Sequence, residues 1–444
     1  MKTLIVGNGG RESALAERMS ESSKVSAVMG HMNPSIADVV EKTGGLIKIG
    51  KVTDPNLVTD FAEENGIDLV MVSADSPLEA GVVDALLKKG IATVGPDREG
   101  ARIEWDKAFS RELIQEAAPE ANPVHRIARS REEVLEVFRE FGDAPVAVKP
   151  RGLTGGKGVK VVGPHLRDND NAKNFALSLI QEGGSDPAVI IEEKIEGVEF
   201  TLQAITDGRT VAFPPASYDY PYRFEGDKGP GTGGMGAYTM RERALPFMTT
   251  EEYEKICSIS RSVVTHLHEK GLRFSGVLNG GFFITPRGEV RVIEFNARFG
   301  DPECMNIMSL VEQDWVDVMG KLASGTLQEG DITFRDTATS LNYLVTPEYA
   351  LGGSPGHNFS INRNAIESAG VQIHFSACER TKGDHYRTVG NSRVMALLAH
   401  GQTPVDAREK IIEAIASHVS GPLQHRTDIA SEQNIRHISS LIGR

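Results

Sequence analysis

The first hundred residues alternate short apolar runs with helix-patterned stretches, and that alternation permits few architectures. Residues 4–6 form a β-type run that breaks into Gly7-Asn8-Gly9-Gly10, after which residues 11–20 carry apolar side chains at helical spacing. Further apolar runs follow at 25–29, 67–72 and 91–94, with a helix-patterned stretch at 56–65 between them. Strands that alternate with helices pair in parallel, so the expectation is a doubly wound α/β sheet. Gly95-Pro96 closes this unit, which sets an N-terminal domain of residues 1–100.

Beyond residue 100 the pattern changes. Residues 102–116 read as one helix, and β-rich runs at 146–149 and 159–162 flank a glycine-rich tip, the signature of a hairpin. Single strands are expected at 189–191 and 199–204, and a second hairpin at 276–284 and 290–295 over Pro286-Arg287-Gly288. Residues 226–236 hold six glycines and are expected to be an ordered loop. Strand-like runs at 341–345, 371–375 and 393–399 precede a helix at 404–417. The expected divisions are 1–100, 101–334 and 335–444, a multidomain chain that combines α/β and α+β parts.

Composition narrows the function classes. The chain carries 48 Lys and Arg against 61 Asp and Glu, a net charge of −13 with no basic block, which argues against nucleic acid as a partner. Its three cysteines, Cys257, Cys304 and Cys378, are far apart and form no CxxC pair, so neither a disulfide framework nor a cysteine zinc site is indicated. Apolar runs are too short to span a bilayer. A cytoplasmic protein with no membrane partner is expected.

Three loops carry chemistry. Gly9, Gly10 and Arg11 turn a strand into a helix N-terminus, where free N–H groups and the helix dipole favour a phosphate. Glu12 takes the place of a third glycine, and no acid ends the second strand, so a phosphate ester fits this turn better than a dinucleotide. Arg11 stands where it could meet that phosphate bidentately. The glycine-rich tip, with Gly155, Gly156 and Lys157, fails the Walker pattern because Gly158 follows the lysine, yet such a hairpin can fold over nucleotide phosphates with Lys149 as their cation. Glu294 and Asn296, two apart in a strand, share one face and offer hard oxygens suited to Mg²⁺. Arg298 and Asp301 follow in the next turn, where an arginine can hold a substrate carboxylate.

Taken in order along the chain, GNGGRE at 7–12, Glu104 with Lys107, VKPRGLTGGKGV at 148–159, IIEEKIEGVEF at 190–200, GDKGPGTGGMGAY at 226–238, EFNARFGDPE at 294–303 and RTDI at 426–429 resemble the phosphoribosylamine–glycine ligase (glycinamide ribonucleotide synthetase) family in its archaeal form. The resemblance implies an ATP-grasp fold behind a pre-ATP-grasp domain, with a mobile lid at about 125–190. It also implies ATP-dependent ligation of glycine to 5-phosphoribosylamine through a glycyl phosphate, with Mg²⁺ or Mn²⁺, in a monomer or weak homodimer.

By that resemblance Lys107 and Lys149 contact ATP phosphates beneath a lid that contains Gly155, Gly156 and Lys157. Glu192, Glu193, Lys194 and Ile195 face the adenine, and Glu199 the ribose. Glu294 and Asn296 match metal ligands. Asp219, Arg298 and Asp301 match the glycine side, with Arg298 and Lys149 as the catalytic cations. Gly9, Gly10, Arg11, Glu12, Asn33 and Pro34 match the phosphoribosylamine side. The chain departs from the family pattern at Ser13, at Tyr220-Pro221-Tyr222, at Ser73-Ala74-Asp75, and at the 276–284 strand, where Asn279 is the only polar group available as an extra metal ligand. Two other readings stay open on sequence alone: an ATP-grasp ligase for another carboxylate, and a nucleotide-binding protein without catalysis.

Overall fold

The computed structural model describes residues 1–152, 158–353 and 356–444. At the N-terminus a five-stranded parallel sheet runs in the order Ile47–Ile49, Lys24–Met29, Lys2–Val6, Leu69–Val72, Ala92–Val94. This is the doubly wound sheet expected from the alternation. The edge strand Ile47–Ile49 was not foreseen, because three residues of mixed polarity give no periodic signal. Helix starts follow the capping rules: Asn33 caps the Pro34–Thr43 helix and Asp54 the Pro55–Glu64 helix, each with proline at the first helical position.

The single helix expected at 102–116 is two helices, Arg102–Trp105 and Lys107–Ala117, broken at Asp106. Asp106 leaves the helical region (φ −123°, ψ 92°), caps the second helix through Phe109 N–H, and binds Arg151 through both carboxylate oxygens at 3.0 and 2.8 Å. Helical spacing continues through such a break, which is why the sequence pattern does not reveal it. The break places Lys107 at a helix start, its N–H on the Arg151 carbonyl at 2.9 Å.

Residues 125–193 carry a four-stranded antiparallel sheet, ordered His125–Ala128, Val189–Glu193, Val146–Pro150, Lys160–Val161. The last two pair as the expected hairpin. Helices Arg131–Phe141 and Asn169–Glu182 cover it through Val134, Phe138, Ala172 and Ala176, a small core of its own.

The central sheet runs Val290–Asn296, Gly276–Ile284, Val198–Thr206, Ser217–Asp219, Gly236–Thr239, Ala338–Leu344, Met395–Gly401, Val371–Phe375. Its last three strands come from beyond residue 335, so the C-terminal part shares one hydrogen-bonded sheet with strands Val198–Thr206 and Val290–Asn296. Helix Thr250–Glu269, opened by a Thr249–Glu252 capping box, packs into the core that holds Phe200, Phe282 and Phe295. The glycine-rich stretch is not wholly a loop: Tyr222–Phe224 and Lys228–Gly231 pair as a small hairpin, and Gly236–Thr239 joins the central sheet. A Cβ on Gly236 would lie 2.3 Å from the Leu341 carbonyl, so only glycine admits that pairing. Among the described residues no helix is long and apolar enough to cross a membrane.

Candidate active site

One small cavity between the four-stranded sheet and the central sheet is lined by Lys107, Lys149, Glu192 and Glu294, together with Arg111 and Glu104. Lys149 ends its strand buried, with its ammonium 2.7 Å from Glu192 Oε2 and 3.1 Å from the Ile293 carbonyl. Arg111 grips the same carboxylate from the other side, Nε to Oε1 at 2.5 Å and Nη2 to Oε2 at 3.0 Å. Burial opposes ionisation of Glu192, but the two cations win and bring its pKa down to about 2. Burial lowers the pKa of Lys149, an effect that Glu192 opposes.

The Ile293 carbonyl is available because the strand bulges. Gly281 faces Glu294 while Phe282 faces Val292, which leaves Ile293 as the extra residue. Its turned carbonyl accepts from Lys149 and, at 2.6 Å, from Arg111. Arg111 escaped the sequence reading; its position, one turn after the Lys107 helix start, was its only signal. Lys107 donates to the Gly152 carbonyl at 3.0 Å, at the foot of the glycine-rich tip. Gly155, Gly156 and Lys157 themselves lie outside the described residues.

The structure brings the expected acids together. Glu199 stands in the cleft next to Glu294 and Lys149; it is open to solvent in area, yet the cleft walls and the Glu294 charge push its pKa up to about 7. Asp219, beside Glu303 and Glu199, is raised well above the usual carboxylate range by burial and by those neighbours. Glu303 is buried and also raised by burial; it accepts from Thr201 at 3.2 Å. A Cβ on Gly300 would fall 2.4 Å from Glu303 Oε2, so the Arg298–Asp301 turn packs directly on this carboxylate. Such a crowd of carboxylates lowers its energy by binding cations.

Glu294 and Asn296 lie two apart on one strand, as expected, and Asn279 pairs with Asn296 across the ladder. The buried Asn279 Oδ1 has no hydrogen-bond partner among the described residues. Two hard protein oxygens plus this orphan suit a divalent cation that takes its other ligands from phosphates and water. No ready-made cluster of three His, Cys, Asp or Glu ligands occurs among the described residues.

Arg298 is held by Glu104 at 3.1 Å and by the Asn296 amide oxygen at 3.4 Å, and Glu104 in turn accepts from Ala297 N–H at 2.8 Å. Asp75, from the Ser73-Ala74-Asp75 departure, lies close enough for Arg298 and Arg11 to hold its carboxyl below the usual range against the effect of burial. Ser73 Oγ accepts from Phe299 N–H at 3.2 Å, so this departure still supports the Arg298 turn.

At the N-terminal loop several expectations need correction. Arg11 does not present a free fork to a phosphate: it is buried, with Nε on Glu12 at 2.7 Å and Nη1 on the Phe299 carbonyl at 3.0 Å. Glu12 also accepts from Gly9 N–H at 2.7 Å, so an internal carboxylate already occupies the helix N-terminus that was read as a phosphate site. Asn33 is fully buried, donating to the Asn8 and Phe375 carbonyls and accepting from Ile36 N–H. It shapes the loop, with Pro34 beginning the helix that Asn33 caps. Ser13 donates to the Phe375 carbonyl at 2.6 Å, and Tyr220 is a core residue bonded to Asn434 at 2.8 Å; both departures make structural contacts.

On the nucleotide side, Glu193 Oε1 accepts from Val124 N–H at 3.0 Å, while the Glu193 and Lys194 N–H groups serve Val124 and Pro145 carbonyls, each at 2.9 Å. Ile195, half-buried just past the strand end, keeps its N–H free of any partner among the described residues.

Two comparisons of sequence and one of structure bear on this geometry. Residues 1–104 match the family model of the phosphoribosylglycinamide synthetase N domain, and residues 105–304 that of its ATP-grasp (A) domain. The phosphoribosylamine–glycine ligase of Methanothermobacter thermautotrophicus is 39% identical over 446 residues, covering 99% of this chain and 100% of that protein. That of Pyrococcus furiosus is 37% identical over 436 residues, covering 98% and 95%. Among solved structures, a phosphoribosylamine–glycine ligase from Thermotoga maritima superposes with a TM-score of 0.77 at 22% identity, covering 97% of this chain and all of that one. A biotin carboxylase from Campylobacter jejuni reaches 0.73 at 16% identity, covering 98% and 96%, so the fold is shared well beyond one reaction.

Proposed function

The chain belongs to the phosphoribosylglycinamide synthetase family, and on that premise we propose how its residues divide the work of an ATP-dependent ligase that joins glycine to 5-phosphoribosylamine in purine biosynthesis. One observation carries the assignment: Lys107, Lys149, Glu192 and Glu294 meet in a single cavity although they lie on four separate elements.

Lys149, fixed by Glu192 and the Ile293 carbonyl, and Lys107 at its helix start hold the ATP phosphates. The Ile195 N–H and the neighbouring carbonyls face the adenine, and Glu199 the ribose. The sheet of residues 125–193 acts as the lid. Glu294 and Asn296, with Asn279 behind them, hold the divalent ion, Mg²⁺ or Mn²⁺, which when bound neutralises phosphate charge.

Arg298 pairs with the carboxylate of glycine, and Asp219 with its ammonium. A glycine carboxylate oxygen attacks the γ-phosphorus of ATP, the bond to the ADP oxygen breaks, and glycyl phosphate forms. The amine of phosphoribosylamine then attacks the glycyl carbonyl, phosphate departs with the electron pair, and the nitrogen sheds a proton. Positioning and charge neutralisation supply the rate here, in line with the cations and acids gathered in the cleft. On the amine side, the Gly9–Gly10 backbone gives close approach, and Glu12 suits ribose hydroxyls better than a phosphate.

The proposed state is a monomer or weak homodimer, and three buried free cysteines suit a reducing cytoplasm. The direct test measures ADP release with ATP and Mg²⁺, supplying glycine and freshly made phosphoribosylamine separately and together. Product that requires both substrates is expected. Folded, ATP-binding protein that gives no product with both would overturn the reading.

A further inference from the structure

Asp301 sits between two halves of the cleft, and its two carboxylate oxygens have different surroundings. Oδ1 accepts from the Tyr343 hydroxyl at 2.8 Å and lies 3.2 Å from Arg393 Nη2. Oδ2 points the other way: a Cβ built on Gly9 would lie 3.6 Å from it. Thus one oxygen is tied to the C-terminal part, and the other is presented at the N-terminal glycine loop.

The tie is elaborate. Arg393, from the turn before strand Met395–Gly401, donates through Nη1 to the Asp301 carbonyl at 2.7 Å, to the Gly234 carbonyl at 3.0 Å, and to the Gly233 carbonyl. Its guanidinium also lies over the Tyr343 ring, 4.5 Å from the centroid. Tyr343, fully buried in strand Ala338–Leu344, carries its hydroxyl to within 2.3 Å of where a Cβ on Gly10 would stand. Two residues from beyond position 335 therefore join the Gly233–Gly234 turn, the Arg298–Asp301 turn and the N-terminal loop.

The geometry points to Tyr343 and Arg393 as positioning residues that aim Asp301 Oδ2 at the attacking amine of phosphoribosylamine. This rests on the ligase reading above and on the placement of that amine at the Gly9–Gly10 loop, and it moves Asp301 from the glycine side, where the family resemblance puts it, to the amine. Neither residue touches the ATP cavity, whose lining is formed by other elements. A carboxylate that is locked by one oxygen offers the other in a fixed direction, where it accepts a hydrogen bond from the amine and orients its lone pair to the glycyl carbonyl. Glycine activation and amine transfer are thus served by different residues, and the second step depends on the C-terminal part.

Tyr343→Phe removes only the hydroxyl and keeps the ring beneath Arg393; Arg393→Lys keeps a charge but loses the fork. Two readouts separate the half-reactions. Glycyl phosphate is intercepted with hydroxylamine as glycine hydroxamate, and complete turnover is followed as glycinamide ribonucleotide formed per ADP released while phosphoribosylamine is varied. In both variants hydroxamate formation should stay within about twofold of the parent, while kcat/KM for phosphoribosylamine falls roughly tenfold or more and product per ADP drops. Equal loss in both half-reactions would reduce the pair to a structural role, and no loss in either would remove it from the reaction; both results overturn the proposal. Absence of hydroxamate and product in the parent protein would instead overturn the ligase reading itself.

Discussion

Lys149 and Glu192 form a buried ion pair at 2.7 Å in which the carboxylate answers to two cations, because Arg111 holds its other edge. Lys149 faces the cavity that Lys107 and Glu294 also line, so the pair fixes a phosphate-binding ammonium that would otherwise be costly to bury.

Glu192→Gln should therefore be severe. It leaves Lys149 and Arg111 facing each other without a counter-charge, a change expected to destabilise the fold by about 3–5 kcal/mol and to weaken ATP binding. The pH dependence has a definite sign. Glu192 titrates near 2 in the fold against 4.5 unfolded, so its contribution is complete above 4.5 and is lost as pH falls towards about 2. Denaturant unfolding at neutral and acid pH, with ATP calorimetry on the same variants, checks both statements.

Glu294→Gln should leave stability nearly unchanged, since the side chain is half-exposed at a strand end. Its effect falls on the metal: the Mg²⁺ concentration for half-maximal turnover should rise about 10- to 100-fold. A magnesium titration of steady-state turnover decides this, and an unaltered midpoint would exclude Glu294 as a ligand.

Glu199 gives a prediction of opposite pH sign. Its carboxyl is raised to about 7 from 4.5, so the fold prefers the protonated form, and its contribution to stability declines as pH rises from about 4.5 to about 7. Without ligands, Glu199→Gln should make the slope of Tm against pH more positive across that range. Thermal unfolding against pH for the two proteins is the measurement; identical slopes would show that Glu199 is not the group responsible.

Gly10→Ala should destabilise by about 1–3 kcal/mol through overpacking, because the new methyl meets the Tyr343 hydroxyl at 2.3 Å. Combining it with Tyr343→Phe removes that oxygen and leaves Met305 at 3.3 Å as the next neighbour, so the double variant should recover much of the loss. Strict additivity in denaturant unfolding would rule out the contact.

The N-terminal sheet was legible because its strands and helices differ in period, and the 146–162 hairpin because turn residues bracket it. Glu294 with Asn296 and Lys149 with its strand were legible for the same reason: a period of two fixes which side chains share a face. Sequence spacing could not show that Arg11 turns inward to Glu12 and Phe299, or that Asn33 donates to the Phe375 carbonyl, since those partners are set by packing across as many as 342 positions. Arg111, Tyr343 and Arg393 were invisible for a related cause. Each acts from outside any glycine-rich or acidic motif, and its role exists only once distant segments are brought together. The helix break at Asp106 was missed because the apolar spacing runs through it undisturbed.

The continuous ladder from Val290–Asn296 to Val371–Phe375 limits how this protein can be divided. Gly236–Thr239 has Ala338–Leu344 as its partner on one side, so truncating the chain near residue 335 would strip that strand and present a bare row of N–H and C=O groups to solvent. Such an edge recruits other chains. A recombinant fragment ending there would be expected to collect in inclusion bodies, and the same fragment co-expressed with the remaining C-terminal piece would be expected to stay soluble because the two complete one sheet.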